Sequence, residues 1–132
     1  MNEAMNKLRA LVEALYSNTT SGALAWAVQA GSDVFFTSIG DRRLDVFVEE
    51  GEREEDVWII IYNRDGDKIE SFSDTFFGKA RPARTPHDNY YSLMKDLYDA
   101  AGRNARGADK IVNELLEELG VEGITEIEDI RF

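Results

Sequence analysis

Residues Val57 to Tyr62 read VWIIIY, with no polar interruption. The run is far shorter than the ~20 apolar residues that a membrane-crossing helix needs. Its β-branched and aromatic make-up favours a strand. Because apolar residues do not alternate with polar ones, the run predicts a central strand covered on both faces. The rest of the chain must then supply strands to pair with it and a layer to cover it.

The flanking segments offer those strands. Leu24, Trp26 and Val28 alternate with Ala25, Ala27 and Gln29, and Gly31-Ser32-Asp33 reads as a turn. Val34 to Ile39 is a second strand, ended by Gly40-Asp41. Leu44, Val46 and Val48 alternate with Asp45, Phe47 and Glu49, which predicts one covered face and one wetter face that Phe47 interrupts. A charged connection, Glu50 to Asp56, leads into the central run. After it, Asn63-Arg64-Asp65-Gly66-Asp67 is a turn, since an Asp-Gly pair tolerates positive φ, and Lys68 to Phe72 returns as a short strand. Connections this short favour an antiparallel meander, because parallel crossovers need about a dozen residues or more.

Helices frame the sheet. Met5, Leu8, Leu11, Val12, Leu15 and Tyr16 recur at spacings of three and four, predicting an amino-terminal helix with Asn2 or Asn6 as its cap. Ser73 to Asn89, restricted by Pro82 and Pro86, reads as loop, with Asp88 as the cap of the next helix. From Tyr91 to Leu119 apolar residues keep helical phase, while Gly102 and Gly107 weaken the middle. Two helices broken near Gly107 are expected, with one kinked helix as the alternative. In the tail, Val121, Ile124, Ile127 and Ile130 recur every three residues, fitting a packed turn or a docking surface. The 132 residues therefore predict a single α+β domain. It has an amino-terminal helix, a four- or five-stranded antiparallel meander, two carboxy-terminal helices covering one sheet face, and a short tail.

Composition narrows the function classes. There is no cysteine, which excludes disulfides and thiolate chemistry and fits a reducing compartment. Charges run through MNEAMNKLRALVEALY, so no secretory signal is expected there, and a cytoplasmic location is the expectation. The formal net charge of −11 disfavours direct binding to nucleic acid or to an anionic membrane. Eight acids and three bases lie between Asp41 and Asp56, and eight acids and two bases between Asp109 and Phe132. From Phe76 to Ala108 the balance reverses to six bases and three acids.

No motif for catalysis, metal or cofactor stands out, and neither a metal nor a cofactor is expected. His87 is the only histidine, beside Asp88, which could orient its ring. With Ser73 and Asp74 it forms the weak catalytic set, within a wider candidate site that adds Ser71, Phe77, Arg81 and Arg84. Phe76-Phe77 reads as core, with an exposed anchor or pocket wall as the sharper alternative. Asn63, Asp65 and Asp67 alternate like calcium ligands, but Gly66 falls at the fourth position where a calcium loop needs it at the sixth. For partner binding the candidates are Phe77, Arg81 and Arg84 together with the acidic Glu49, Glu50, Glu52, Glu54, Glu55 and Asp56.

The segments FFTSIG-x(3)-LDVF, VWIIIYNRDGDKIESFSD and YYSLMKDLYDAAGRNARGADKIVNELLEEL resemble a family of small bacterial α+β proteins over roughly Phe35 to Leu119. The resemblance implies a fold and no activity, so it assigns no site residue. From the charge pattern, the expected function is a non-enzymatic, inhibitor- or immunity-like module that docks acidic segments on a basic protein. The alternatives are a small-ligand site or hydrolase near residues 71–87, and a structural subunit that forms a homodimer through its last helix or tail.

Overall fold

The computed structural model describes residues 3–51 and 54–120, with only the backbone of Asp109 included. The expectations for Asn2, Glu52 and the isoleucine-bearing tail lie outside the described residues. The chain runs α1 (Glu3–Thr20), β1 (Ala27–Val28), β2 (Phe35–Ile39), β3 (Arg42–Glu50), β4 (Glu55–Tyr62), β5 (Lys68–Ser73), a 3-10 turn (Asp74–Phe77), α2 (Tyr90–Ala105) and α3 (Ala108–Glu118). The five strands pair in sequence order, all antiparallel, as the short connections require. The fold is thus the α+β meander expected, with the helical break at Gly107, whose φ of 68° suits glycine.

Register sorts the side chains onto two faces. The inner face carries Phe35, Val46, Ile59 and Phe72 in one cross-strand row, flanked by Thr37, Leu44 and Ile61 and by Val48 and Val57. Helix α2 lies over this face with Leu93, Met94, Leu97 and Ala101 fully buried, and α1 packs against α2 through Val12 and Leu15. Each fully buried aliphatic side chain contributes roughly 1.5–3 kcal/mol, so this layer dominates stability. Helix α3 meets α2 but turns Ile111, Val112, Leu115 and Leu119 to solvent.

Polar groups trapped in the core are all partnered, so among the described residues no buried side-chain nitrogen or oxygen is left unsatisfied. The Trp26 indole donates to Thr19 Oγ1 at 3.0 Å, and Thr37 Oγ1 donates to the Ala25 carbonyl at 2.7 Å. Asn104 of α2 accepts from the Trp26 amide at 2.7 Å and donates to the Leu24 carbonyl at 3.2 Å. These two bonds correct the expected strand from Leu24: its backbone groups are taken by a helix side chain, so β1 shrinks to two residues.

Three smaller expectations also change. Asn6 sits inside α1 rather than capping it. Asn89, not Asp88, caps α2, accepting from the Ser92 amide at 2.8 Å, while Asp88 pairs with Arg81 at 3.6 Å. Gly102 marks a close approach: a Cβ there would meet the Phe35 ring at 2.9 Å, while α2 runs on without interruption.

Gly102→Ala is therefore expected to destabilise the fold by about 1–3 kcal/mol through overpacking, despite alanine's better helix propensity. Urea unfolding measures it. A stabilised variant would show that α2 does not lie this close to β2.

Candidate functional site: the outer face of the sheet

The same alternation that fills the inner face leaves a second set of large side chains pointing the other way. In rows across the strands these are Phe47 and Trp58; Phe36, Asp45 and Ile60; and Ser38, Arg43 and Tyr62. The five apolar or aromatic members, Phe36, Phe47, Trp58, Ile60 and Tyr62, are half-buried, and no described element covers them. The VWIIIY run was expected to be covered on both faces. Among the described residues only its inner side is covered, by α2.

The face is charged differently at its two ends. At the β3–β4 hairpin, Glu49 pairs in register with Asp56 on the outer face, and Glu50 with Glu55 on the inner face. Like charges directly opposite one another are destabilising. The inner pair is relieved, because Tyr91 Oη donates to Glu55 Oε1 at 2.6 Å and Lys95 Nζ lies 3.9 Å from the same oxygen. The outer pair, Glu49 and Asp56, has no cation against it among the described residues.

At the opposite end Arg43 dominates. Its guanidinium stacks 4.1 Å from the Phe36 ring centroid and 5.8 Å from that of Tyr62. Nε donates to Asp45 Oδ1 at 2.7 Å and one terminal nitrogen donates to Gln29 Oε1 at 3.0 Å. Asp45 is only 5% exposed although it belongs to the open face, because these groups close over it. Burial, then the charge of Asp45 and a hydrogen bond to it, raise the Tyr62 phenol above its usual range, with Arg43 opposing.

The residues singled out from the sequence are not gathered into one site. His87 Nε2 is 2.7 Å from Asp96 Oδ2 and Nδ1 is 2.9 Å from Thr85 Oγ1, with the Tyr16 ring edge-on at 5.1 Å. Asp96, in the second turn of α2, therefore orients the ring in place of the expected Asp88. Ser73 Oγ bonds to Thr75 Oγ1 at 2.7 Å, and Asp74 Oδ1 accepts from the Val57 amide at 2.8 Å. Burial raises the Asp74 carboxyl above its usual range, partly offset by that amide. Each of the three is held by its own local partner, and none hydrogen-bonds to another.

The pair Phe76-Phe77 splits. Phe77 is buried and stacks on Tyr90 at 4.2 Å, and so belongs to the core, while Phe76 is exposed. Arg84 is tied to α1: its amide donates to buried Glu13 Oε1 at 2.7 Å and its side chain reaches Oε2 at 3.5 Å. Arg81 gives its carbonyl to Arg9 at 2.8 Å. The basic loop thus pairs largely with the protein's own groups. A shallow cleft there, of about 220 Å³, is lined by Asn6, Arg9, Glu13 and Arg84 and does not include Ser73, Asp74 or His87. Asn63 Oδ1 accepts from the Asp65 and Asp67 amides at 3.0 and 2.9 Å, which makes the apparent calcium pattern an Asx-type hairpin turn. No group of three or more acidic or histidine side chains that could hold a metal occurs among the described residues. No described helix is long and apolar enough to cross a membrane.

The sequence did signal the outer face: Phe47 breaks the polar alternation of its strand, and VWIIIY has no polar position. Arg43 carried no such signal, since its role depends on Phe36, Asp45 and Tyr62 from three strands.

Among the described residues these features define a two-layer α+β arrangement with one sheet face open. Compared with protein-family models, with curated proteins and with solved structures, the chain matches none.

Two outcomes follow from this geometry. Asp45→Ala should cost about 1–3 kcal/mol, because Arg43 and Tyr62 lose their buried acceptor; thermal or urea unfolding checks it. The hydrogen bond to Glu55 pushes the Tyr91 phenol up to about 12. A raised phenol stabilises the fold fully below the unfolded value of 10.0, and that stability is lost as pH rises toward 12. Tyr91→Phe should make this alkaline loss of stability shallower. An unchanged slope would mean the bond to Glu55 is not formed in solution.

Proposed function

We propose that this protein is a non-enzymatic interaction module of a reducing, bacterial cytoplasm. In this reading, the outer sheet face docks a protein segment that carries basic side chains beside apolar ones. One observation carries it: the open Phe47–Trp58 row runs directly into the like-charged Glu49–Asp56 pair. An uncovered aromatic row gains by losing water. An uncompensated carboxylate pair gains by meeting a cation. Neither is relieved by any other described part of the fold, and a lysine- or arginine-bearing amphipathic segment relieves both.

The reading adjusts the expectation from charge alone. Of the acidic hairpin residues, Glu55 is engaged by α2, so the partner's cations would be met by Glu49 and Asp56, with Glu50 and Glu54 exposed nearby. The individual local ties of Ser73, Asp74 and His87 favour binding over catalysis.

A labelled peptide alternating lysine and leucine is the probe, with its glutamate counterpart as control. Fluorescence anisotropy should show salt-sensitive binding of the basic peptide only. The double charge reversal Glu49→Lys with Asp56→Lys should weaken binding by about tenfold or more, and Phe47→Ala should weaken it comparably. Equal binding by wild type and both variants would sink the reading.

A further inference from the structure

The basic end of the outer face is a cleft of about 440 Å³ between the β2–β3 and β4–β5 hairpins, including Ser38, Asp41, Arg42, Arg43, Tyr62 and Arg64 in its lining. It lies about 20 Å along β3 from Glu49, six residues at ~3.3 Å each. We propose that this cleft binds a small-molecule oxyanion, a carboxylate or phosphate group, with Arg43 as its fixed anchor and Arg42 and Arg64 as its mobile clamps.

Arg43 is built for such a role. Its Nε and one terminal nitrogen are committed to Asp45 and Gln29, and the guanidinium carbon lies 4.1 Å from the Phe36 ring centroid and 5.8 Å from that of Tyr62. The other terminal nitrogen has no partner among the described residues, and Arg43 lines the cleft. An arginine whose orientation is fixed loses little freedom when an anion arrives, and its planar fork matches two oxygens. The carboxylate of Asp45, only 5% exposed, does the orienting from within the cleft's own lining.

Arg42 and Arg64 differ from it. Both lean on the single carboxylate of Asp41, at 3.4 and 3.1 Å, with side chains 67% and 73% exposed. Exposed ion pairs of this kind are worth at most about 1 kcal/mol, so an incoming oxyanion can displace Asp41. Three guanidinium groups thus line the cleft against two carboxylates, in a chain whose net charge is −11. Each guanidinium is paired with a carboxylate, but Arg42 and Arg64 share one, which leaves the cleft one positive charge in excess. An arriving anion would compete with Asp41 for these two arginines.

The cleft would take its anion whether or not a protein partner docks on the aromatic rows, so neither proposal rests on the other. The test is a titration of the full-length, isotope-labelled protein at constant ionic strength, first with inorganic phosphate and then with benzoate, followed by NMR on the arginine Nε–H groups and the Gln29, Ser38 and Tyr62 amides. Saturable shifts confined to the cleft are expected. Arg64→Gln, on an exposed turn, should weaken binding about tenfold, as should Arg43→Lys, which removes the fork. Asp41→Asn should tighten it severalfold by freeing two arginines, an effect that simple loss of structure cannot produce. Binding of phosphate alone or benzoate alone supports the proposal and assigns the head group. Absence of saturable shifts with both anions, or affinities unchanged in Arg64→Gln and Asp41→Asn, overturns it.

Discussion

The ring of Phe35 sits against the backbone of α2 at Gly102, where even one added carbon would be 2.9 Å away. That contact sets the separation between helix and sheet. Around it the inner row of Phe35, Val46, Ile59 and Phe72 meets Leu93, Met94, Leu97 and Ala101 without exposed apolar surface. Asn104, further along the same helix, holds Leu24 and Trp26 in place and so decides where β1 begins. Because α2 commits to one face at this distance, the other face is left to whatever else can cover it.

The outer face is the consequence. A strand pair such as β3–β4, with large apolar residues on both sides, has only one of them buried by a helix. The half-burial of Phe36, Phe47, Trp58, Ile60 and Tyr62, and the facing carboxylates of Glu49 and Asp56, are local costs that the described fold does not offset. Local conflicts of this kind concentrate where a protein meets something else. At the other end Arg43, Asp45, Phe36 and Tyr62 form a group that is internally satisfied yet still presents guanidinium to a cleft. Acidic and basic ends on one aromatic surface would make the proposed recognition directional.

Much of the architecture was legible from the sequence because it depends on near neighbours. Turn residues at Gly40, Asn63 to Gly66 and Gly107 marked the connections, and helical phase marked α1, α2 and α3. What was not legible depends on distant residues. The truncation of β1 needs Asn104, roughly eighty positions away; the orientation of His87 by Asp96 rather than Asp88 needs the rise of α2 beside the loop. The acidic hairpin could be read as a cluster, but only the register shows that Glu55 faces α2 while Glu49 and Asp56 face out. The arginine cleft was missed altogether, since Arg43 and Arg64 come from different hairpins and looked like scattered charges.

The account rests on the outer face being open in the protein by itself. Hydroxyl-radical footprinting of the full chain, read by mass spectrometry, measures that directly. Phe36, Phe47 and Trp58 should be labelled well above Trp26, Phe35 and Phe77, which lie in the inner core. Protection of Trp58 and Phe47 to the level of Trp26 would show that the face is already covered, and would contradict its role as a docking surface.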